Sequence, residues 1–145
     1  PSWVKDAPPK FSTFNARSED AASKASWRDS VKSKRCLVPA SGYYEWVLEN
    51  RVKVPHYIHS DHTVAFAGLY AWWRLAAIHD RNPVPIPKSF WSTWLDPLVV
   101  GTQELVDAAV SEAQPVAAGF QEYRVNSLKG NSPELIVPAR PAPSP

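Results

Sequence analysis

The sequence predicts an α+β domain organised around an antiparallel sheet, and three observations carry that prediction. Between Arg35 and Tyr70 the chain is rich in aromatic and β-branched residues, broken by short polar turn signals rather than by helical periodicity. After a proline-dense stretch, Thr102 opens a segment whose apolar residues recur at three- and four-residue spacing. A length of 145 residues suits one domain that buries most of the surface its unfolded chain would expose.

The elements follow in order. Residues 1–14 hold Pro1, Pro8 and Pro9 with little periodicity and predict an irregular lead-in. Ser18 with Glu19 and Asp20 signals a helix start, acids being favoured in a first turn. Ser26 with Asp29 marks a second start for a helix over 27–33, closed by Lys32, Lys34 and Arg35. Cys36 to Pro39 is a short apolar run in which Cys36 is expected to pack as a small core residue. Gly42 to Leu48, Val52 to Ile58 and Val64 to Tyr70 then predict three antiparallel strands. Glu49-Asn50-Arg51 and Ser60-Asp61-His62 are expected as the turns between them. Pro83 to Pro87 predicts a loop, and Ser89 a cap on a short helix carrying Phe90, Trp91, Trp94 and Leu95. The Thr102 helix places Leu105, Ala109 and Val110 on one face beside Val106, and Phe120 to Val125 predicts a last strand. The domain is expected to span 1–138, with a disordered Pro- and Ala-rich tail over 139–145.

Composition narrows the function classes. A net charge of +2 excludes a polycation that binds any nucleic acid, but a local basic stripe is compatible with it. No apolar run approaches the ~20 residues of a membrane span, and no secretory leader pattern is present. Cys36 is the single cysteine, which excludes an internal disulfide and suits a reducing cytoplasm. Seven Trp supply flat apolar faces that suit a core and equally suit stacking on unpaired bases. The absence of Met and the Pro-Ser-Trp start indicate a fragment, a processed chain or an incompletely represented one.

Several constellations could carry chemistry. Asn15-Ala16-Arg17 is either an ordinary loop Asn with a solvated Arg or a polar pair on a loop, the Asn amide donating and accepting and the Arg reaching a phosphate. In Gly42-Tyr43-Tyr44-Glu45-Trp46, alternation puts Tyr43, Glu45 and Val47 on one face and Tyr44 and Trp46 on the other. Glu45 is then either a partly exposed edge-strand residue or a carboxylate kept among bulky neighbours for proton transfer. Ile78-His79-Asp80-Arg81 sets a titratable His between loop charges, a surface ion pair on one view and a proton shuttle on the other. His56, His59 and His62 recur at intervals of three, but strand parity sends the first two to opposite faces, against a metal site. Ser41 lacks the G-x-S-x-G elbow of serine hydrolases.

Taken in order, these stretches resemble the SOS-response-associated peptidase (SRAP) family. The matching segments are Pro1-Ser2-Trp3, Asn15-Ala16-Arg17-Ser18-Glu19, Arg35-Cys36-Leu37-Val38-Pro39-Ala40 and Gly42-Tyr43-Tyr44-Glu45-Trp46. Phe66-Ala67-Gly68-Leu69-Tyr70, Ile78-His79-Asp80-Arg81 and Pro133-Glu134-Leu135-Ile136-Val137-Pro138 complete the set, so the resemblance covers nearly the whole chain. It implies an α+β fold with a twisted, partly barrel-like antiparallel sheet and flanking helices. It also implies a damage sensor that binds single-stranded DNA and captures abasic sites through a cysteine at the N-terminus. The α-amine of that cysteine attacks the ring-opened aldehyde, and its thiol closes a thiazolidine.

By matching position the resemblance assigns proton transfer to Glu45, proton shuttling and reversal to His79, and positioning of sugar and nucleophile to Asn15. Arg17 and Arg81 would hold flanking phosphates, and Trp3 would pack on an unstacked base. No cofactor or metal is implied, and the protein is expected to act as a monomer without a membrane. Three departures from the pattern stand out. The nucleophilic cysteine is absent ahead of Pro1, so the chain as written is expected not to crosslink. A strand the family carries is missing between Arg74 and Leu75, which favours missing sequence, and Asn82 replaces a common methionine. The rival readings are a thiol autopeptidase acting on its own initiator methionine and a non-catalytic single-stranded DNA-binding module.

Overall fold

The computed structural model describes residues 16–71 and 82–140. Strands β1 (Ala16–Arg17), β2 (Val38–Glu49), β3 (Val52–Ala71), β4 (Asn82–Pro85) and β5 (Gln121–Arg124) form one sheet. Helices α1 (Arg28–Ser33), α2 (Trp91–Leu95) and α3 (Gln103–Ala118) lie around it, which makes the chain α+β. Every described strand pairs with β3. β2 and β1 follow one another along one edge, the latter in parallel, and β5 and β4 along the other.

The hairpin β2–β3 turns where the sequence predicts. Glu49 pairs with Val52, and Asn50 and Arg51 both take positive φ, 48° and 67°. Two central residues at positive φ give the turn whose twist matches that of the strands it joins. Asn tolerates this backbone, whereas Arg adopts it at a cost.

Beyond the hairpin the expected third strand is not separate, because β3 runs unbroken through Ser60-Asp61-His62. Ala40 pairs with Val64 and Gly42 with His59, so Ser60 to Thr63 lie opposite Ser41 alone. The polar residues form a wide bulge that bends one long strand. Gly42 is required beside it, since a Cβ there would lie 2.5 Å from the Ile58 carbonyl oxygen and 2.6 Å from the Tyr57 ring. Likewise 38–49 is one strand containing this irregularity rather than two runs.

The proline-dense stretch is a second correction. Asn82–Pro85 forms β4 against Phe66 to Ala71, and the Ile86 N–H donates to the Ala65 carbonyl at 2.8 Å. Pro83 and Pro85 fall at alternate positions of an outer strand, where a missing N–H costs no ladder bond. A third correction concerns Cys36, which is exposed and precedes β2 rather than packing inside it. Its carbonyl instead accepts from the indole of Trp94 at 3.1 Å. The helix expected at Ser18 is a single 3-10 turn over Ser18–Asp20, and neither Ser26 nor Ser89 caps its helix. Thr102 does cap α3, its side chain accepting from the Leu105 N–H at 3.4 Å.

The main core lies where α1, α2 and α3 meet β3 and β4. Trp94 is 1 % exposed there, packed with Val31, Val84, Ile86, Val106 and Ala109. The buried stripe of α3 runs through Val106, Ala109, Ala113 and Ala117, with Leu105 and Val110 half-buried beside it. Arg35 fastens this layer. Its guanidinium donates to the carbonyls of Val31, Lys32, Trp94, Asp96 and Val99 at 2.6–3.0 Å. Gly101 allows the same approach, since a Cβ there would lie 1.8 Å from the Val31 carbonyl oxygen. Among the described residues no helix is long and apolar enough to cross a membrane.

Candidate functional site

The register of the hairpin gives it two chemically different faces. Tyr43 pairs with Ile58, Glu45 with His56 and Val47 with Val54, while Glu122 and Arg124 of β5 pair with Ile58 and His56. These residues therefore share one face, the alternation predicted for Tyr43, Glu45 and Val47. The opposite face carries Tyr44, Trp46, Tyr57, His59 and Tyr123. There Tyr57 stacks on His59 with centroids 5.4 Å apart, and Tyr123 lies 5.8 Å from Tyr57. His56 and His59 thus do point apart. No cluster among the described residues is arranged to hold a metal ion.

The bend in β3 turns the first face inward. The Tyr43 ring meets Phe66 edge-on at 5.7 Å and Phe120 at 6.3 Å, although Tyr43 pairs with Ile58 far along the strand. Its phenol donates to Oδ1 of Asn82 at 3.0 Å. Burial pushes the Tyr43 phenol well above its ordinary range, and the nearby Glu45 carboxylate pushes it further. The phenol therefore stays a donor, and Asn82, 2 % exposed, is anchored by it. This contact ties the strand bearing Glu45 to the first described residue after Arg81.

Glu45 is half-buried on β2, one register step from Tyr43 toward the hairpin tip. Its Oε1 accepts from the Trp46 backbone N–H at 3.2 Å. Among the described residues β2 pairs only with β3. Arg17 is exposed on β1, opposite Tyr70 of β3, whose other neighbour is Pro83. The chain following Asn15 and the chain following Arg81 thus flank the same end of β3. Trp3, Asn15, His79 and Arg81 themselves lie outside the described residues, as do Arg74 and Leu75.

Sequence reasoning missed His56 in this setting. Its Nδ1 lies 2.5 Å from Glu122 Oε2 and its Nε2 3.1 Å from Glu49 Oε1, while Arg124 Nη1 is 3.3 Å from Glu49 Oε2. Parity could have placed His56, Glu45 and Glu49 on one face. The partner Glu122 depends on a strand far along the chain.

The model of the family described as "SOS response associated peptidase (SRAP)" matches residues 1–76. The chain belongs to the SRAP family. It is 35 % identical to Abasic site processing protein YoqW of Bacillus subtilis over 164 aligned positions, which cover 94 % of this chain and 71 % of that protein. More positions align than the 145 residues of this chain, so YoqW carries residues with no counterpart here. Abasic site processing protein HMCES of Gallus gallus is 27 % identical, with 95 % of this chain and 54 % of that protein covered. A crystal structure of a protein from Bacteroides thetaiotaomicron superposes with a TM-score of 0.70 at 20 % identity, covering 87 % of this chain and 66 % of that one. A phage-related protein from Bordetella bronchiseptica gives 0.61 at 27 % identity, covering 83 % and 68 %. The SRAP assignment and the observed fold agree: a bent, open sheet whose inner face carries the Glu45 strand.

Proposed function

We propose that this SRAP protein captures abasic sites in single-stranded DNA through a cysteine at the N-terminus of the full-length chain. The reading rests on relatives named abasic site processing proteins and on one observation in particular. Glu45 stands on the inward face beside Tyr43, whose phenol donates to Asn82, the residue that follows Arg81 in sequence.

The chemistry is an aldehyde–aminothiol condensation. The ring-opened C1′ aldehyde takes the cysteine amine, loses water to an imine, and receives the thiol sulfur, whose proton passes to the imine nitrogen as the thiazolidine closes. Glu45 accepts the proton released by the attacking amine and returns one to the departing oxygen. His79 serves reversal, Asn15 orients the sugar, and Trp3 packs on the neighbouring base. Arg17 and Arg81 hold the phosphates. Arg17 is suited to this by its exposure.

The test is a time course of denaturation-resistant adduct formation between the full-length protein and a single-stranded oligonucleotide bearing one abasic site. Glu45→Gln is expected to slow it about a hundredfold, the usual contribution of a positioned acid–base group, with binding to intact single strands preserved. An unchanged rate removes Glu45 from the chemistry. If no adduct forms but an unrelated peptide is cut, the peptidase reading holds instead.

A further inference from the structure

We propose that His56 is a positioning residue for Glu45, a role that rests on the function just assigned to Glu45. The two are cross-strand partners on the inward face, a placement that sets Cβ atoms about 4.5–5.5 Å apart. That face gathers the carboxylates of Glu45 and Glu49 from β2 and of Glu122 from β5, with the Tyr43 phenol beside them. Uncompensated, they would repel one another and any DNA phosphate brought near.

His56 engages two of these carboxylates at once, Glu122 through Nδ1 and Glu49 through Nε2, with its side chain only 12 % exposed. Arg124, its register partner on β5, adds a guanidinium contact to Glu49. Each ring nitrogen of His56 thus faces a carboxylate oxygen, one from β5 and one from β2. The contact of Glu45 among the described residues is instead with the Trp46 backbone N–H. The network therefore ties up the bystander acids and leaves one carboxylate of the face available to a substrate proton. A phenylalanine at position 56 would fill the same space, strip Glu122 of its His56 contact and leave Glu49 to Arg124 alone, both carboxylates on the face of Glu45.

The experiment measures single-turnover adduct formation by the full-length protein from acid to alkaline pH, using the same abasic oligonucleotide. In His56→Phe, the uncompensated acids make it harder to ionise a neighbouring carboxylate. The acid limb of the rate profile is expected to move up by about one pH unit, a tenfold loss at a fixed pH below the limb. His56→Gln, whose amide still donates a hydrogen bond, is expected to fall between. Adding Glu49→Gln and Glu122→Gln to His56→Phe should restore the original limb, because the repelling charges are gone. Unmoved profiles in both His56 variants, with Glu45→Gln still slow, overturn the role of His56 alone. A uniform rate loss without a shift, or no rescue by the added glutamines, overturns it equally. If His56→Phe does not fold, the shift in His56→Gln and its reversal by the same two glutamines decide. Normal rates in Glu45→Gln would instead overturn the site reading on which the proposal stands.

Discussion

From Ala65 to Ala67, β3 is buried beside β4, and Ala67 joins Trp94, Val84 and Val106 in a closed apolar layer. From Val52 to His59 the same strand is only partly covered. Around it Leu48, Val52 and Trp46 are exposed, and its inward face carries the acid–histidine network. One strand thus joins a helical half that supplies cohesion to a hairpin half that presents charge. Burial of apolar area stabilises the first. The second keeps polar groups near solvent. Fold and chemistry can then vary separately along one strand, provided the bend at Gly42 keeps the halves in contact.

That division can be broken by experiment. The largest effect is expected in the helical half, where Trp94→Ala removes a fully buried ring together with its hydrogen bond to the Cys36 carbonyl. Denaturant unfolding should show a loss of about 3–5 kcal/mol. A loss below 1 kcal/mol, on the order of an exposed-site change, would mean the core is not where cohesion resides. Gly101→Ala comes next, because the added methyl meets the Val31 backbone rather than a movable side chain. Overpacking of this kind costs about 1–3 kcal/mol, read as a lower unfolding midpoint with an unchanged denaturant slope. The smallest effect sharpens the contrast from the hairpin side. Arg51 holds φ at 67°, so Arg51→Gly should raise stability by about 0.5–1 kcal/mol. Adduct formation should be unaffected by it, and a slower adduct would mean that the tip takes part in the chemistry.

The elements legible in the sequence are those whose causes are local. Asn50-Arg51 marked the hairpin, Thr102 marked the start of α3, and alternation assigned Tyr43 and Glu45 to one face. The elements misjudged have partners elsewhere. Ser60-Asp61-His62 has the composition of a turn, yet its backbone continues as strand because β2 supplies Ser41 and Gly42 opposite it. Pro83 and Pro85 look like loop residues, yet they are admitted to an outer strand, and the Ile86 N–H just beyond them bonds back to β3. Cys36 looks like core, yet it lies outside β2 and offers its carbonyl to Trp94.

The candidate site divides in the same way. The Glu45 strand and the Arg17 segment were recognisable from short motifs, because residue type and order carry family likeness without any knowledge of contacts. The Tyr43–Asn82 hydrogen bond, and the bracing of His56 by Glu49 and Glu122, depend on how far β3 bends and on β5 docking beside it. Propensity and alternation act over a few neighbouring residues and are written into the chain locally. Which carboxylates meet His56 and Arg124 depends on groups that come together only when distant strands pair.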